Sequence, residues 1–320
     1  MKAAVYYRYG SPDVVQVTDV PTPPMRESDV RIRVRYSTVN RTDCGFRSAE
    51  YFIVRFFSGL ITPKNPVLGC EFAGEVESVG NMVTQFTIGD RVFGFNDAAF
   101  GGHSEYLVIN ESAAVAPLPD EIPFELAAAI TEGGHYALCN LRAAKLKSGQ
   151  SILVYGATGA IGSAAVQLAL YFGANVTAVC HGQHVDLVKS LGPDLVIDYT
   201  RNDFTRLNTQ FDIVFDAVGK SSFGACKPIL KQKGIYMSTE LGKGSQNPFL
   251  ALITPLLSGK RVLFPLPTIS KEDVLFLRSL VAGGHFKPLI DRKYALDEIV
   301  EAYRYVETGQ KIGNVLLEIP

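Results

Sequence analysis

The stretch from Gln150 to Tyr171 constrains the fold more than any other part of the chain. An apolar segment, Ser151-Ile-Leu-Val-Tyr155, runs through Gly156-Ala-Thr-Gly-Ala-Ile-Gly162 into a helical pattern that continues to Tyr171. Glycines at 156, 159 and 162 let the chain turn sharply out of a strand, bring backbone N–H groups near a pyrophosphate and seat the following helix close to a sheet. The N-terminus of such a helix favours negative charge. The spacing is G-x-x-G-x-x-G rather than the commoner G-x-G-x-x-G, so the turn by itself states only strand, phosphate loop, helix.

The chain beyond the turn supports a larger unit of the same kind. Apolar strands are expected at Ser151 to Tyr155, Asn175 to Cys180, Leu195 to Tyr199, Phe211 to Phe215, Gly234 to Ser238 and Arg261 to Phe264, with helical stretches such as Val185 to Leu191 between several of them. Strands alternating with helices imply a parallel sheet covered on both faces, a doubly wound α/β nucleotide domain. Upstream, Val30 to Tyr36, Phe72 to Val79 and Gly89 to Gly94 are short alternating strands punctuated by proline and glycine, the pattern of a β-rich, barrel-like domain. A proline-rich crossing, Pro117 to Pro123, precedes a helix expected from Phe124 to Ala144. The chain closes with an amphipathic helix, Ala295 to Val306, and a strand, Gly313 to Ile319. Domains are therefore expected at 1–122, 123–287 and 288–320, the last returning to the first.

A length of 320 residues favours two cores over one. With 31 basic and 32 acidic side chains, the formal charge of −1 gives no reason to expect nucleic acid or an anionic membrane as partner. A small, mostly neutral ligand fits better. Met1-Lys-Ala-Ala-Val-Tyr-Tyr goes straight into a strand-like alternation, which predicts a cytoplasmic protein. The apolar run Tyr51 to Ile61 is about half of the roughly 20 residues a membrane span needs and contains Arg55. It is expected to form a buried helix or a lid over an apolar pocket. Cysteines at 44, 70, 139, 180 and 226 form no C-x-x-C pair, which predicts reduced thiols.

The choice of nicotinamide is read at the end of the second strand. An NAD site carries an acidic residue there to hold the ribose 2′-hydroxyl. Val179-Cys-His-Gly-Gln-His184 has none, which favours NADPH, with His181 and His184 near the 2′-phosphate and Lys189 a solvated helix residue.

The order of Gly69-Cys-Glu-Phe-Ala-Gly-Glu-Val76, Gly89-Asp-Arg-Val-Phe-Gly94, the glycine turn, Val196-Ile-Asp-Tyr199, Phe215-Asp-Ala-Val-Gly219 and Lys311-Ile-Gly-Asn-Val-Leu316 resembles the medium-chain dehydrogenase/reductase superfamily, in its zinc-free quinone oxidoreductase and enoyl reductase branch. The resemblance covers nearly the whole chain. It implies a Rossmann domain beside a GroES-like barrel, an active site in the cleft between them, and a homodimer in which Arg261 to Phe264 pairs with its two-fold mate. Zinc-dependent members carry a cysteine before a Thr/Ser-Asp pair, a histidine before a glutamate and a third ligand ahead of the nucleotide domain. Here Asn40 and Cys70 hold the first two places, and the third looks apolar near Ile130. Cys70, Glu71 and His103 stay as possible donors in no recognised zinc pattern.

Without a metal, hydride transfer to a conjugated system is the easier reaction, because the charge spreads to oxygen. The resemblance places Tyr51 where related enoyl reductases carry a proton donor, and Asn40 where it would orient substrate or ribose. The alternatives are an apolar-segment aromatic for Tyr51 and a turn residue for Asn40. Asp43 and Arg47 are expected to pair beneath the site. Gly156, Thr158, Gly159, Ala160, Ile161 and Gly162 would cradle the phosphates, His181 and Tyr199 would meet the 2′-phosphate or adenosine, and Asn314 would stand where the branch commonly has a lysine or arginine in contact with phosphate. Val218 and Leu241 would line the cofactor cleft. The implied activity is NADPH-dependent reduction of an apolar quinone or α,β-unsaturated carbonyl. Two other readings stand beside it: a zinc-type alcohol dehydrogenase with atypical ligands, and a catalytically silent NADPH-binding scaffold.

Overall fold

The computed structural model describes residues 1–257 and 259–320, which divide into two compact units. One unit comprises 133–268 and 283–288; the other comprises 1–132, 269–282 and 289–320.

Six parallel strands form the sheet of the first of these: Ser151–Tyr155, Asn175–Cys180, Leu195–Asp198, Phe211–Asp216, Leu230–Ser238 and Arg261–Leu263. Their spatial order is third, second, first, fourth, fifth, sixth, so the chain reverses direction beside the strand that carries the glycine turn. Ile152, Leu153, Val154, Val176, Ala178 and Val214 are buried regardless of which face they point to, as expected of a parallel sheet covered on both sides. Helix Ala160–Tyr171 contributes Ala164, Ala165, Val166 and Leu168 to that core.

The other unit is built around Asp29–Val39, a strand of 11 residues. It pairs antiparallel with Glu71–Val79, Tyr106–Asn110 and Asn314–Glu318, so one strand ties the N-terminal part of the chain to its last. Ile290–Ala295 adds a parallel edge strand to Asn314–Glu318.

Four expectations need correction. The first division between units falls after Glu132, not after 122. Helix Lys271–Ala282 belongs to the β-rich unit, where Lys271 donates to the Glu111 carbonyl (2.8 Å) and Arg278 to the Pro117 carbonyl (3.0 Å). The long helix from Phe124 is two, Phe124–Ala127 and Thr131–Ala143. The second starts where the Glu71 carboxylate accepts from both the Thr131 hydroxyl (2.8 Å) and the Glu132 N–H (2.6 Å), a cap supplied from a distant strand. Finally, of the two expectations for the Tyr51 to Ile61 run, the buried helix fails: Phe52, Ile53, Phe56, Phe57, Leu60 and Ile61 are all exposed around the short helix Val54–Ser58. Polar bonds from Tyr9 to Ser58 and Gly59 fasten it, rather than apolar packing. Among the described residues no helix is long and apolar enough to cross a membrane.

Candidate active site

In the parallel-sheet unit, two of the three glycines of the turn meet a steric demand. Gly156 has φ +86°, and a Cβ there would lie 2.4 Å from Val218 Cγ1. At Gly162 a Cβ would lie 2.0 Å from the Gly156 carbonyl oxygen, so the helix seats directly on the turn. Gly159 caps the helix with no side-chain bond, and its missing Cβ faces only the Gly156 oxygen at 3.6 Å. The N–H groups of Gly156 and Ala157 are used to hold the turn against the Val179 carbonyl (3.0 and 3.1 Å). Those of the helix's first turn, Ala160 to Gly162, are the donors left without intrahelical partners. Thr158, Gly159, Ala160 and Ile161 are half-exposed around them. This open, glycine-walled helix start suits a pyrophosphate.

Val218 is fixed by the buried Asp216 carboxylate, which accepts from Val218 N (3.2 Å), Gly219 N (2.8 Å) and Ser221 N (2.8 Å). Leu241 is half-buried in the turn after the fifth strand, where its carbonyl accepts from Asn247 N (2.9 Å).

Beyond the second strand, the His181 ring lies edge-on to Tyr199 (5.7 Å) and 6.1 Å from the His184 ring. Tyr199 in turn meets Tyr155. A feature that bears on the choice of nicotinamide comes from the neighbouring strand. The segment after the second strand has no carboxylate of its own, but Asp198 of the neighbouring strand lies so close to Gly182 that a Cβ there would be 2.4 Å from Asp198 Oδ2. The parallel register, Asp198 opposite Cys180, puts it there. Hydrogen bonds from Thr200, with Arg201 at 3.5 Å, hold this carboxyl below its usual range.

In the β-rich unit, buried polar side chains converge at the start of helix Arg41–Ser48. Asn40 is its N-cap: its Oδ1 accepts from Asp43 N (2.9 Å), and the Asp43 carboxylate accepts from Asn40 N (3.2 Å). The Asn40 amide also donates to Cys70 Sγ (3.0 Å), whose thiol donates to Glu132 (3.7 Å). Glu132 further accepts from the Thr42 hydroxyl (2.9 Å). Glu71 receives hydrogen bonds from Thr38, Thr131 and Glu132 N.

Burial raises the pKa of Glu132, Glu71 and the Cys70 thiol, and the neighbouring carboxylates add to the effect on Glu132 and Cys70. With more donors, Glu71 is the better anion, and Glu132 is the carboxyl that keeps a proton. Burial pushes Asp43 up to about 7 and His103 down to about 4. His103 Nε2 faces the Thr38 carbonyl at 2.8 Å.

Glu132 is the residue that sequence reasoning missed: the third zinc place looked apolar near Ile130, and the carboxylate stands two residues on. The cluster offers no ready set of lone pairs. Asn40 offers an N–H rather than a lone pair to Cys70, and among the described residues no three His, Cys, Asp or Glu side chains form a group able to hold a metal.

Asp43 and Arg47 do not pair. The buried Arg47 guanidinium instead bonds Glu307 and the Gly10 carbonyl and stands over the Tyr303 ring at 5.0 Å. Tyr51 is 46% exposed, with no hydrogen bond to its hydroxyl among the described residues. Asn314 is buried, and its amide donates to the Leu289 carbonyl (3.0 Å) and to that of Ala129 (3.4 Å).

Comparison with known proteins adds to this geometry. Residues 26–120 match the alcohol dehydrogenase GroES-like domain, and 191–317 match the zinc-binding dehydrogenase domain. A 2-methylene-furan-3-one reductase of Solanum lycopersicum is 33% identical, over 99% of this chain and 79% of the relative. An NADPH-dependent alkenal/one oxidoreductase of Arabidopsis thaliana is 30% identical over the same shares. Among solved structures, the quinone oxidoreductase from Coxiella burnetii superposes with a TM-score of 0.90 at 26% identity, covering 100% of this chain and 99% of that one.

Proposed function

We propose, from the premise that the chain belongs to the medium-chain dehydrogenase/reductase superfamily and to its quinone oxidoreductase-like branch, that this nicotinamide-dependent oxidoreductase uses NADPH to reduce a quinone or an α,β-unsaturated carbonyl, without zinc. The observation that carries the reading is the glycine turn, where a Cβ at Gly156 or Gly162 would collide with Val218 or with backbone while the helix N-terminus stays open. When bound, the nicotinamide supplies the hydride.

This chain's own residues bind and position. The N–H groups of Ala160, Ile161 and Gly162 would hold the pyrophosphate with Thr158 and Gly159 beside them, and Val218 and Leu241 would limit where the rest of the cofactor lies. His181, Tyr199 and Arg201 would meet the 2′-phosphate. The name of the Arabidopsis relative supports NADPH, and Asp198 is the feature that opposes it. Asn40 would act by holding Cys70 and Asp43, and Tyr51 is the candidate proton donor. Asn314, whose amide is engaged with carbonyls, contributes less to the cofactor in this reading. The outer strand Arg261–Leu263, with Leu252, Leu256 and Leu266 exposed in the same unit, supports a second copy as partner.

Oxidation of NADPH and of NADH, followed in parallel against quinones, enones and aldehydes, tests the reading. NADPH is expected to be favoured by about tenfold in kcat/KM, a difference of roughly 1.4 kcal/mol. Equal use of NADH would assign Asp198 to the ribose instead. Stoichiometric zinc in the purified protein, lost to a chelator together with activity, would replace the zinc-independent reading.

A further inference from the structure

We infer that a cavity inside the β-rich unit is a binding site for a small, ring-bearing ammonium ion, with the Asp97 carboxylate at its charged end and the Tyr6 hydroxyl as hydrogen-bond partner for a polar group at the other. None of the residues lining it belongs to the glycine turn or to the Asn40 cluster, and its occupancy does not depend on the reductase reading.

The cavity holds about 390 Å³, enough for one ring with short substituents, and Tyr6, Phe46, Phe57 and Phe100 wall it together with Asp97 and Asn65. Tyr6 and Phe100 are buried whereas Phe57 and Asp97 are exposed, so an aromatic floor lies under a rim that carries the carboxylate. The local chain fixes the walls. Phe100 sits at φ +58°, an unfavourable setting for an aromatic residue, and is kept there by its N–H to the Asn96 carbonyl (2.9 Å) and by the Asn96 amide to its own carbonyl (2.9 Å). Its ring meets Phe46 edge-on at 4.9 Å. Phe57 comes from the short helix Val54–Ser58, which Tyr9 fastens through Ser58 (2.8 Å) and the Gly59 carbonyl (2.6 Å). Aromatic faces carry negative charge, so such walls attract a cation as well as covering its apolar part.

The polar groups favour the same ligand. No lysine, arginine or histidine lines the cavity, and Asp97 has neither a cation nor a hydrogen-bond partner beyond its own N–H among the described residues. Protein surrounds enough of the carboxyl to raise its pKa, and a bound ammonium would offset that loss of solvation. Tyr6 is 2% exposed and its backbone N–H donates to the Pro66 carbonyl (2.8 Å), but its hydroxyl bonds no other described residue. Burial raises its pKa, so it stays a neutral hydroxyl that can donate to an oxygen or accept from an O–H or N–H. A buried hydroxyl without a protein partner calls for one from outside the chain. The neighbouring polar side chains are engaged already: Ser58 donates to the Val54 carbonyl (3.0 Å), and the Asn65 amide to the Ala98 carbonyl (3.3 Å). An anion would meet a carboxylate with no cation beside it, and a neutral ring would leave that carboxylate unpaired. An ammonium ion pairs it.

Calorimetric titration of the full chain with tyramine, phenethylamine and 4-ethylphenol, without NADPH and near neutral pH where both amines are ammonium ions, reads binding apart from turnover. The three share a ring and a two-carbon chain: tyramine carries both polar ends, phenethylamine only the ammonium and 4-ethylphenol only the hydroxyl. Tyramine is expected to bind about tenfold more tightly than 4-ethylphenol, and Asp97→Asn, isosteric and at an exposed position, to abolish that difference. Tyr6→Phe removes a hydroxyl that bonds nothing in the fold; it is expected to weaken tyramine about fivefold and to leave phenethylamine within about twofold. Both variants should melt with the parent. Equal affinity of the parent for tyramine and 4-ethylphenol, unchanged tyramine binding in Asp97→Asn, or a Tyr6→Phe that treats the two amines alike would overturn the assignment. Reduction of quinones or enones is read in a separate assay, so failure of the reductase reading leaves this site standing, and failure of this site leaves the reductase reading.

Discussion

The glycine turn and the buried cluster around Asn40 use opposite resources. At the turn, what matters is the absence of side chains: Gly156 and Gly162 clear space for Val218 and for a carbonyl, Gly159 leaves the helix start open, and backbone N–H groups supply the polarity. Around Asn40, almost everything is side chain: a capping amide, a thiol, hydroxyls and carboxyls whose protonation each sets the next. A site made of backbone should be indifferent to pH and intolerant of one added carbon. A site made of buried carboxyls should tolerate an isosteric change and respond to pH.

The largest effect is expected where the turn has no room. Gly162→Ala would put a Cβ 2.0 Å from the Gly156 oxygen and 2.7 Å from its carbonyl carbon, both backbone atoms that cannot swing away. A loss of about 3 kcal/mol in stability and at least about 100-fold in NADPH affinity is expected, read by thermal unfolding and by enhancement of cofactor fluorescence. Gly159→Ala is the internal contrast. Its nearest neighbour would be 3.6 Å away and its φ of −72° suits alanine, so its melting temperature should match the parent. If the two variants behave alike, steric clearance does not explain the glycines.

The same contrast decides what the sequence discloses. The inner parallel strands are legible because a strand buried on both faces must be apolar throughout, and that is a local property; the edge strands Leu195–Asp198 and Arg261–Leu263, only partly buried, are legible from shorter apolar runs. The fifth is legible only from Gly234: its first residues, Leu230 to Lys233, include two lysines, and Lys233 takes φ +64°. Buried polarity is not local. Glu132 comes after Ala127 to Ile130, all buried, and nothing in that run tells that Thr42, Cys70 and Glu71 come from distant parts of the chain to meet it. The Tyr51 to Ile61 run errs the other way, since apolar composition predicts burial while Phe52, Ile53, Phe56, Phe57, Leu60 and Ile61 stand exposed. Asp198 turns on a single residue: the third strand ends at Asp198 rather than at the expected Tyr199, and that register sets the carboxylate opposite Cys180, beside the expected ribose site.

An intermediate effect is expected at Glu132, and its sign can be worked out. Burial, Glu71 and Asp43 raise the folded-state pKa above the reference value of 4.5, so the folded protein binds more protons than the unfolded chain once the pH passes that value. Stability conferred by the protonated form is therefore full below 4.5 and is lost as pH rises toward the folded pKa. Glu132→Gln keeps the shape and the Thr42 contact while removing the titration. It is expected to flatten the fall in urea midpoint between pH 5 and 8 and to exceed the parent by about 2 kcal/mol at pH 8. The Gly159→Ala midpoint should follow the parent's curve across this range. Parallel curves for Glu132→Gln and the parent would mean that Glu132 is ionised in the fold and that another group holds the proton.

The smallest effect is expected at the 2′-phosphate end, where a backbone site gives way to side chains. His181 contacts Tyr199, while its Nδ1 accepts from Gln183 N (3.2 Å), so its ring is oriented before any ligand arrives. His181→Ala should raise the KM for NADPH about threefold and leave that for NADH unchanged, because a solvent-accessible contact with a charged group contributes under about 1 kcal/mol. Asp198→Asn should act in the other direction, lowering the KM for NADPH more than for NADH, since it removes a negative charge beside Gly182. These opposite signs separate charge recognition from packing. A His181→Ala variant that weakens both cofactors equally would reduce His181 to a support for Tyr199, leaving Arg201, 3.5 Å from Asp198, to balance Asp198 and a 2′-phosphate together.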